Sequence, residues 1–156
     1  MADSVEFSAF SQRELRSLAK TFDRMGDEAV DKSRAVAYDI ASLAKSEIKQ
    51  SGYSRTVSAK GVRRVVDGAS IFRTSKTGRL SYGFAGQRFS GGGSTKILWR
   101  GLEFGSKNFR QFPTFSGRFG KGSRGYFIFP TLRKIQPELT FKYIRAMNSA
   151  IREWAN

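Results

Sequence analysis

Leu102-Glu103-Phe104-Gly105 and Tyr126-Phe127-Ile128-Phe129-Pro130 enclose a segment, residues 106–125, that combines glycine, positive charge and aromatic side chains without any acidic residue. The two enclosing runs are apolar, and we interpret them as strands. A long loop in a compact domain is normally functional or disordered, and exposed aromatics at this density favour a partner that covers them. The segment is therefore predicted to be an interface, carried by Phe109, Arg110, Phe112, Phe115, Arg118, Phe119, Lys121 and Arg124.

The N-terminal third of the chain has helical periodicity. Ser11 and Glu14 form a capping box, after which apolar residues recur at steps of three or four as far as Ile48, with Ser33 as an interruption. Gly26-Asp27 is consistent with a helix end followed by a new N-cap, or with a glycine inside one long helix. The acidic residues that follow favour a bent or broken pair of helices. The apolar stripe predicts core packing, with part of it available to another subunit.

After Gly52 the periodicity changes to that of strands. Val62 to Phe72 is rich in β-branched and aromatic residues, and Leu80 to Phe84 alternates with period two. Together with 97–104 and 126–129, these segments predict a sheet of four or five antiparallel strands. Helical spacing returns in the C-terminal segment, with Pro137 near its first turn, so that this helix can cover one face of the sheet.

The predicted fold class is therefore α+β: a long N-terminal helical region, a small, mostly antiparallel sheet with long loops, and a C-terminal helix packed on the sheet. We expect Phe127 and Phe129, which share one face of a strand, to pack against Tyr143 and Met147. At 156 residues the chain fits a single domain. Its predicted parts are a lead segment 1–10, a helical region 11–50, a sheet region 55–130 that includes loop 106–125, and a terminal helix 131–155.

The net charge of +15 is unevenly distributed. Residues 1–50 contain 8 Lys/Arg and 9 Asp/Glu, whereas residues 51–156 contain 20 Lys/Arg and 4 Asp/Glu, so the whole excess lies in the second part. Such a positive field attracts polyanions such as DNA. An alternative interpretation of the charge is contact with an acidic protein neighbour. Arg63 and Arg64 are candidates to face DNA.

Most enzyme chemistry is disfavoured by composition. The chain has no cysteine, which excludes thiolate metal ligands, and no histidine, which is the commonest general base. A carboxylate pair would require Asp67 and Glu103 to converge from different strands, and Glu103 is better interpreted as a solvated carboxylate at a strand end or as the partner of an arginine. We predict no enzymatic activity, no cofactor and no metal. The sequence shows neither a membrane span nor a secretory signal, which predicts a soluble protein made in a cytoplasm.

One family resemblance follows from these residues. The chain contains the run Ile97 to Ser106 with its Glu103-Phe104-Gly105 turn, then a variable loop, and then Phe127 to Leu132, in which Phe129-Pro130 opens the last helix. In this order of parts it resembles the neck or tail-completion proteins of long-tailed bacteriophages. The Pro-x-x-Thr-Gly turn common in that family is absent after Gly52. The resemblance implies a structural virion protein at the head-to-tail junction, assembled in the host cytoplasm. It also implies a homo-oligomeric ring, sixfold or twelvefold, that contacts other neck and tail proteins and DNA in its lumen.

A second class of function is a basic protein that binds single-stranded or non-specific nucleic acid. Its aromatic and arginine-rich segment 106–125 would stack on bases and neutralise phosphates. No RNP-type aromatic pair, KH-type Gly-x-x-Gly clamp or zinc ligand set accompanies that segment.

Overall fold

The computed structural model describes residues 24–73, 78–81, 87–109, 111–112 and 125–155, together with positions 13, 17 and 20. The helix α1 (Asp27–Tyr53) packs against the C-terminal helix, the second helix and the hairpin, and the second and third helices pack against each other. The elements in chain order are α1 (Asp27–Tyr53), α2 (Ala59–Asp67), β1 (Ser70–Arg73), β2 (Gly78–Ser81), α3 (Thr95–Phe104) and α4 (Ile128–Ala155).

The predicted α+β fold with an antiparallel sheet of four or five strands is wrong. The described residues are mostly helical, and their strands form one antiparallel hairpin in which Ser70 pairs with Ser81 and Arg73 with Gly78. The hairpin includes the end of the predicted strand 62–72 and the start of the predicted strand at Leu80, and 82–84 lie outside the described residues. The C-terminal helix consequently packs on another helix, α1, and not on a sheet.

The segments misread as strands are short helices with one buried face. In α2 the buried side chains are Val62, Val65 and Val66, spaced three and four residues apart. In α3 they are Thr95, Trp99, Leu102 and Glu103, which again repeat at helical spacing. β-Branched and aromatic composition suggested strands, but the periodicity of burial decides the element, because a helix can bury residues at such spacing on one side.

The predicted break at Gly26-Asp27 is confirmed. Positions 24 and 25 are helical, Gly26 has φ of 84°, and α1 begins at Asp27 with two acidic residues in its first turn. Ser33 does not interrupt the buried face of α1, because its side chain is itself buried. That face is made mainly of small residues: Ala29, Ser33, Ala37, Ala41, Ala44, Ile48 and Gly52. Small side chains let α4 and α2 approach the α1 backbone closely.

The C-terminal helix starts earlier than predicted, at Ile128. Segment 126–129 is therefore the helix entry and not a strand, and Pro137 lies in the helix interior instead of the first turn. The predicted packing of Phe127 and Phe129 against Tyr143 and Met147 is also wrong. Phe127 lies in the main core, which Phe129 adjoins, whereas Tyr143 and Met147 form a separate cluster with Met25 and Ala29. Two residues at the entry of a helix cannot reach its fifth and sixth turns.

The main core lies where α1, α2, α3 and the start of α4 meet. Its largest fully buried side chains include Phe127, Ile48, Ile128 and Leu139, and Val62 and Val65 are inaccessible to solvent. Phe112, eight residues after the end of α3, also belongs to this core. The core therefore brings together both runs that enclose the glycine-rich segment.

Candidate functional site

Glu103 is the best-buried carboxylate of the described residues, with no exposed surface. Its Oε2 accepts hydrogen bonds from the backbone N–H groups of Phe127 and Ile128, at 3.0 and 2.9 Å, and its Oε1 accepts one from Phe129 at 2.9 Å. The prediction of a solvated strand-end carboxylate is therefore wrong. Glu103 lies on a helix whose inner face is turned toward the first turn of α4.

Every N–H group that the first turn of α4 would leave unpaired is accounted for. The first four N–H groups of a helix have no partner within the helix. Here three of them, at residues 127–129, donate to Glu103, and the fourth position is Pro130, which has no N–H. The carboxylate also lies at the positive end of the α4 dipole. One side chain thus holds the start of α4 against the end of α3, and we call this contact the α3–α4 joint.

Glycine makes the α3–α4 joint possible. Gly125 has φ of 77°, and a Cβ built there would lie 1.9 Å from Oε1 of Glu103. At the other end of the segment, Gly105 ends α3 with φ of 74°. Phe104 also packs against Phe129, with ring centroids 5.4 Å apart. The structure therefore brings the residues of the sequence motif, Glu103-Phe104-Gly105 and Phe127 to Pro130, into one contact.

The electrostatic setting of Glu103 combines two opposing effects. Burial raises its pKa above the ordinary value, and the N–H groups of residues 126–129 act in the opposite direction without cancelling that rise. The guanidinium of Arg55 stacks 3.9 Å from the centroid of the Tyr126 ring, beside the joint. Glu103 is thus held by backbone donors and not, as one interpretation of the sequence had it, by a direct arginine pair.

The described part of the predicted interface loop contains one buried aromatic residue, Phe112, and one exposed aromatic residue, Phe109. Phe112 is only 7% exposed and covers Gly101, where a Cβ would lie 2.6 Å from the Phe112 ring. Phe109 is 55% exposed and meets Phe112 edge to face, with centroids 6.3 Å apart. Phe112 is thus covered by the chain's own core and not by a partner. The other predicted loop residues lie outside the described residues: Arg110, Phe115, Arg118, Phe119, Lys121 and Arg124.

In the described part of the chain, six exposed cations lie on α2, on α3 and on the segment between β2 and α3. Both predicted DNA-facing residues are exposed, but each stacks on a ring: Arg63 over Tyr53 at 5.4 Å and Arg64 over Phe89 at 4.7 Å. Arg64 also donates a hydrogen bond to the carbonyl of Arg88. We call this set the basic surface, and its members are Lys60, Arg63, Arg64, Arg88, Lys96 and Arg100.

The carboxylates of α2 and α3, Asp67 and Glu103, both have partners of their own, so neither is a free negative charge beside the basic surface. Glu103 is turned inward, and Asp67 is bound at the C-terminal end of α2 by Lys49 at 3.1 Å and by the hydroxyl of Tyr53 at 2.8 Å. Partial burial raises the pKa of Asp67, but the hydrogen bonds from Tyr53 and Lys49 outweigh it, so the pKa lies below its ordinary value. Asp67 and Glu103 do not converge, which leaves no carboxylate pair of the kind that sequence reasoning considered.

An apolar groove of about 410 Å³ separates the start of α2 from α3. It is lined by residues 58–61 on one side and by Leu98 and Leu102 on the other, and Phe89 and residues 111–112 also line it. The two helices approach closely because Gly61 faces Leu102, with 3.1 Å from a built Cβ to the leucine side chain. Lys60 lies at the rim of this groove.

Sequence reasoning missed this groove and the role of Gly125. The helical spacing of Leu98 and Leu102 could have indicated the groove wall, but the region was assigned to a strand. Within the described ranges there is no cluster of three potential metal-ligating side chains, and none of the helices there combines the length and hydropathy that a bilayer span requires. No protein-family model, curated protein or solved structure matches the chain.

Proposed function

We propose that this protein is a structural virion component, a ring-forming neck or tail-completion subunit at the head-to-tail junction of a long-tailed bacteriophage. The observation that carries the proposal is the α3–α4 joint. The residues of the resemblance, which are separated by a variable segment in sequence, contact one another through Glu103 and through the rings of Phe104 and Phe129. The proposal is supported by the fact that the two halves of this motif form one contact in the fold.

The proposal depends on this motif and on the surface, because the sheet expected from the resemblance is not formed by the described residues. Four large apolar side chains, one on α3, one on the segment after it and two on α4, are well exposed: Ile97 at 71%, Phe109 at 55%, Phe141 at 65% and Ile144 at 46%. A ring subunit needs two different contact surfaces, one for each neighbour, because its contacts are heterologous. Apolar groups on α3 and on α4 provide candidates for the two sides.

The basic surface then has a natural role in such a ring. It would face either DNA in the lumen or an acidic ring above or below, as proposed for a sixfold or twelvefold assembly that joins other neck and tail proteins. Because Asp67 and Glu103 are both engaged, the field of this surface is not offset by free carboxylates on α2 or α3. Such a field accelerates the encounter of oppositely charged partners.

The test is the oligomeric state of the purified chain together with its presence in particles. Size-exclusion chromatography with light scattering should show a closed oligomer, and a tagged copy should appear at the head-to-tail junction in electron micrographs. Ile97→Glu and Phe141→Glu should each prevent ring closure, while Lys134→Glu, also at an exposed position of α4, should not. A chain that stays monomeric at high concentration and is absent from particles would contradict the proposal.

A second candidate is a basic module that binds nucleic acid without sequence preference, and the basic surface is the observation that favours it. Binding of this kind weakens steeply as salt rises, because phosphate contacts release counterions. Arg63→Gln with Arg64→Gln should then reduce the salt dependence of oligonucleotide binding. A monomeric chain that binds oligonucleotide tightly, and does not form rings with or without it, would favour this candidate over the first.

A further inference from the structure

We infer that the groove between α2 and α3 is a docking site for an acidic protein segment, which inserts one aromatic or large aliphatic side chain between the helices. This inference rests on the proposed function, because it names the chemistry of the neighbouring protein in the assembly. It concerns one defined site, however, and can be tested on the isolated subunit.

The walls of the groove favour an apolar side chain. Leu98 and Leu102 form one side, and the aromatic residues Phe89 and Phe112 also line it. The groove is open to solvent, and its volume of about 410 Å³ leaves room for one large side chain. An anchor residue of a partner peptide fits this site as a hot-spot side chain fits a desolvated pocket.

The rim of the groove favours carboxylates beside that side chain. Lys60 lines the groove, and the guanidinium of Arg64 lies 4.7 Å from the ring centroid of Phe89, one of the groove residues. None of the described residues lining the groove is acidic. On the two helices that form it, Asp67 is bound by Lys49 and Tyr53 and Glu103 is turned to α4. The field at the groove is therefore positive, which suits an acidic segment.

A protein segment fits these observations better than a nucleic acid. Base stacking needs the open face of an aromatic ring. Phe89, however, has the guanidinium of Arg64 over its ring, and Phe112 is 7% exposed and packed on Gly101. An apolar slot between helices with cations at its edge instead matches the way in which grooves receive anchor residues of peptides.

The experiment measures peptide binding to the full chain by fluorescence anisotropy. The probe is a labelled peptide Asp-Asp-Glu-Trp-Glu-Asp-Asp, and its control has alanine in place of tryptophan. We expect the tryptophan peptide to bind about tenfold more tightly or better, which is the contribution of a buried anchor. Lys60→Glu should weaken binding about fivefold, whereas Lys134→Glu on α4, with the same change of charge, should have little effect.

Lys60→Glu should not disturb folding, because it places an acidic residue in the first turn of α2, where negative charge is favourable, four residues before Arg64. Equal affinity for the alanine and tryptophan peptides would overturn the inference, since binding would then reflect charge alone. Displacement of the peptide by oligo-dT at lower concentration than by unlabelled peptide would also overturn it and would assign the surface to nucleic acid. If rings and particles form normally while the peptide does not bind, the inference fails and the proposed function stands.

Discussion

In the α3–α4 joint the carboxylate of Glu103 is completely buried, whereas at the end of α2 the carboxylate of Asp67 lies at the surface between Lys49 and Tyr53. Burial raises the pKa of the first, and hydrogen-bonding partners lower the pKa of the second. Their structural roles differ accordingly. Glu103 completes the backbone hydrogen bonding of α4, while Asp67 only ties together side chains that water could otherwise solvate.

This difference separates the part of the molecule that maintains the fold from the part that is free to meet a partner. Loss of a buried acceptor leaves N–H groups unpaired, which is costly, but loss of an exposed ion pair is nearly neutral. The basic surface can therefore change with little effect on stability, whereas the joint cannot. The following predictions test that separation, beginning with the largest expected effect.

Glu103→Leu should lower the free energy of unfolding by about 4 kcal/mol, because two buried N–H groups and one partly buried N–H group lose their acceptor. Glu103→Gln keeps one carbonyl oxygen as an acceptor and should therefore lower the free energy of unfolding by a smaller amount. Urea denaturation of both variants measures the effect, and amide hydrogen exchange at residues 127–129 locates it. Wild-type stability of the leucine variant would show that the joint does not maintain the fold.

Phe112→Ala should cost about 3–4 kcal/mol, because it removes a buried ring from the core and leaves a cavity over Gly101. Phe109→Ala is the matched control, since the same substitution three residues away removes a ring that is 55% exposed, and it should change stability by less than about 0.5 kcal/mol. Thermal unfolding of the two variants compares them directly. Similar melting temperatures would mean that Phe112 is not a core residue.

Gly125→Ala should cost about 2–3 kcal/mol, because it combines a left-handed backbone with a clash against Glu103. Gly92→Ala isolates the backbone part: φ there is 85°, but no atom lies within 4 Å of a built Cβ, so the cost should be about 1 kcal/mol. Denaturation midpoints give the difference. If the two substitutions cost the same, the close approach of Gly125 to Glu103 has no energetic weight.

The two carboxylates should titrate in opposite directions from their ordinary values. In a titration followed by carbon NMR of the wild-type side chains, Glu103 should titrate above 4.5 and Asp67 below 3.8. The contribution of Asp67 to stability is then present above its unfolded-state pKa and is lost as pH falls through its folded-state pKa, so Asp67→Asn should matter least in acid. The contribution of Glu103 to stability depends on pH in the opposite direction. It is fully present below the unfolded-state pKa and is lost as pH rises through the folded-state pKa. Reversed titration positions would contradict the comparison.

The sequence predicted the helical regions well and the short elements poorly. The break at Gly26 followed from local chemistry, since glycine and acidic residues there act on the backbone directly. The assignment of α2 and α3 failed because Val65, Val66 and Trp99 suit a strand in isolation. Which of them are buried depends on the packing of α2 against α1 and α3, and this is not encoded in a window of ten residues.

The candidate site was predictable in composition but not in geometry. The charge asymmetry indicated a basic surface, and the resemblance selected Glu103 and Pro130. Neither showed that Glu103 accepts N–H groups from residues 24 to 26 positions later in the chain, because that contact requires α3 and α4 to meet. The groove depends in the same way on the close approach that Gly61 allows between α2 and α3.

The α3–α4 joint has a practical consequence for protein engineering. It holds the end of α3 and the start of α4 against each other through one carboxylate, so a substitution at residue 103 alone can test how far the positions of the two helices depend on each other.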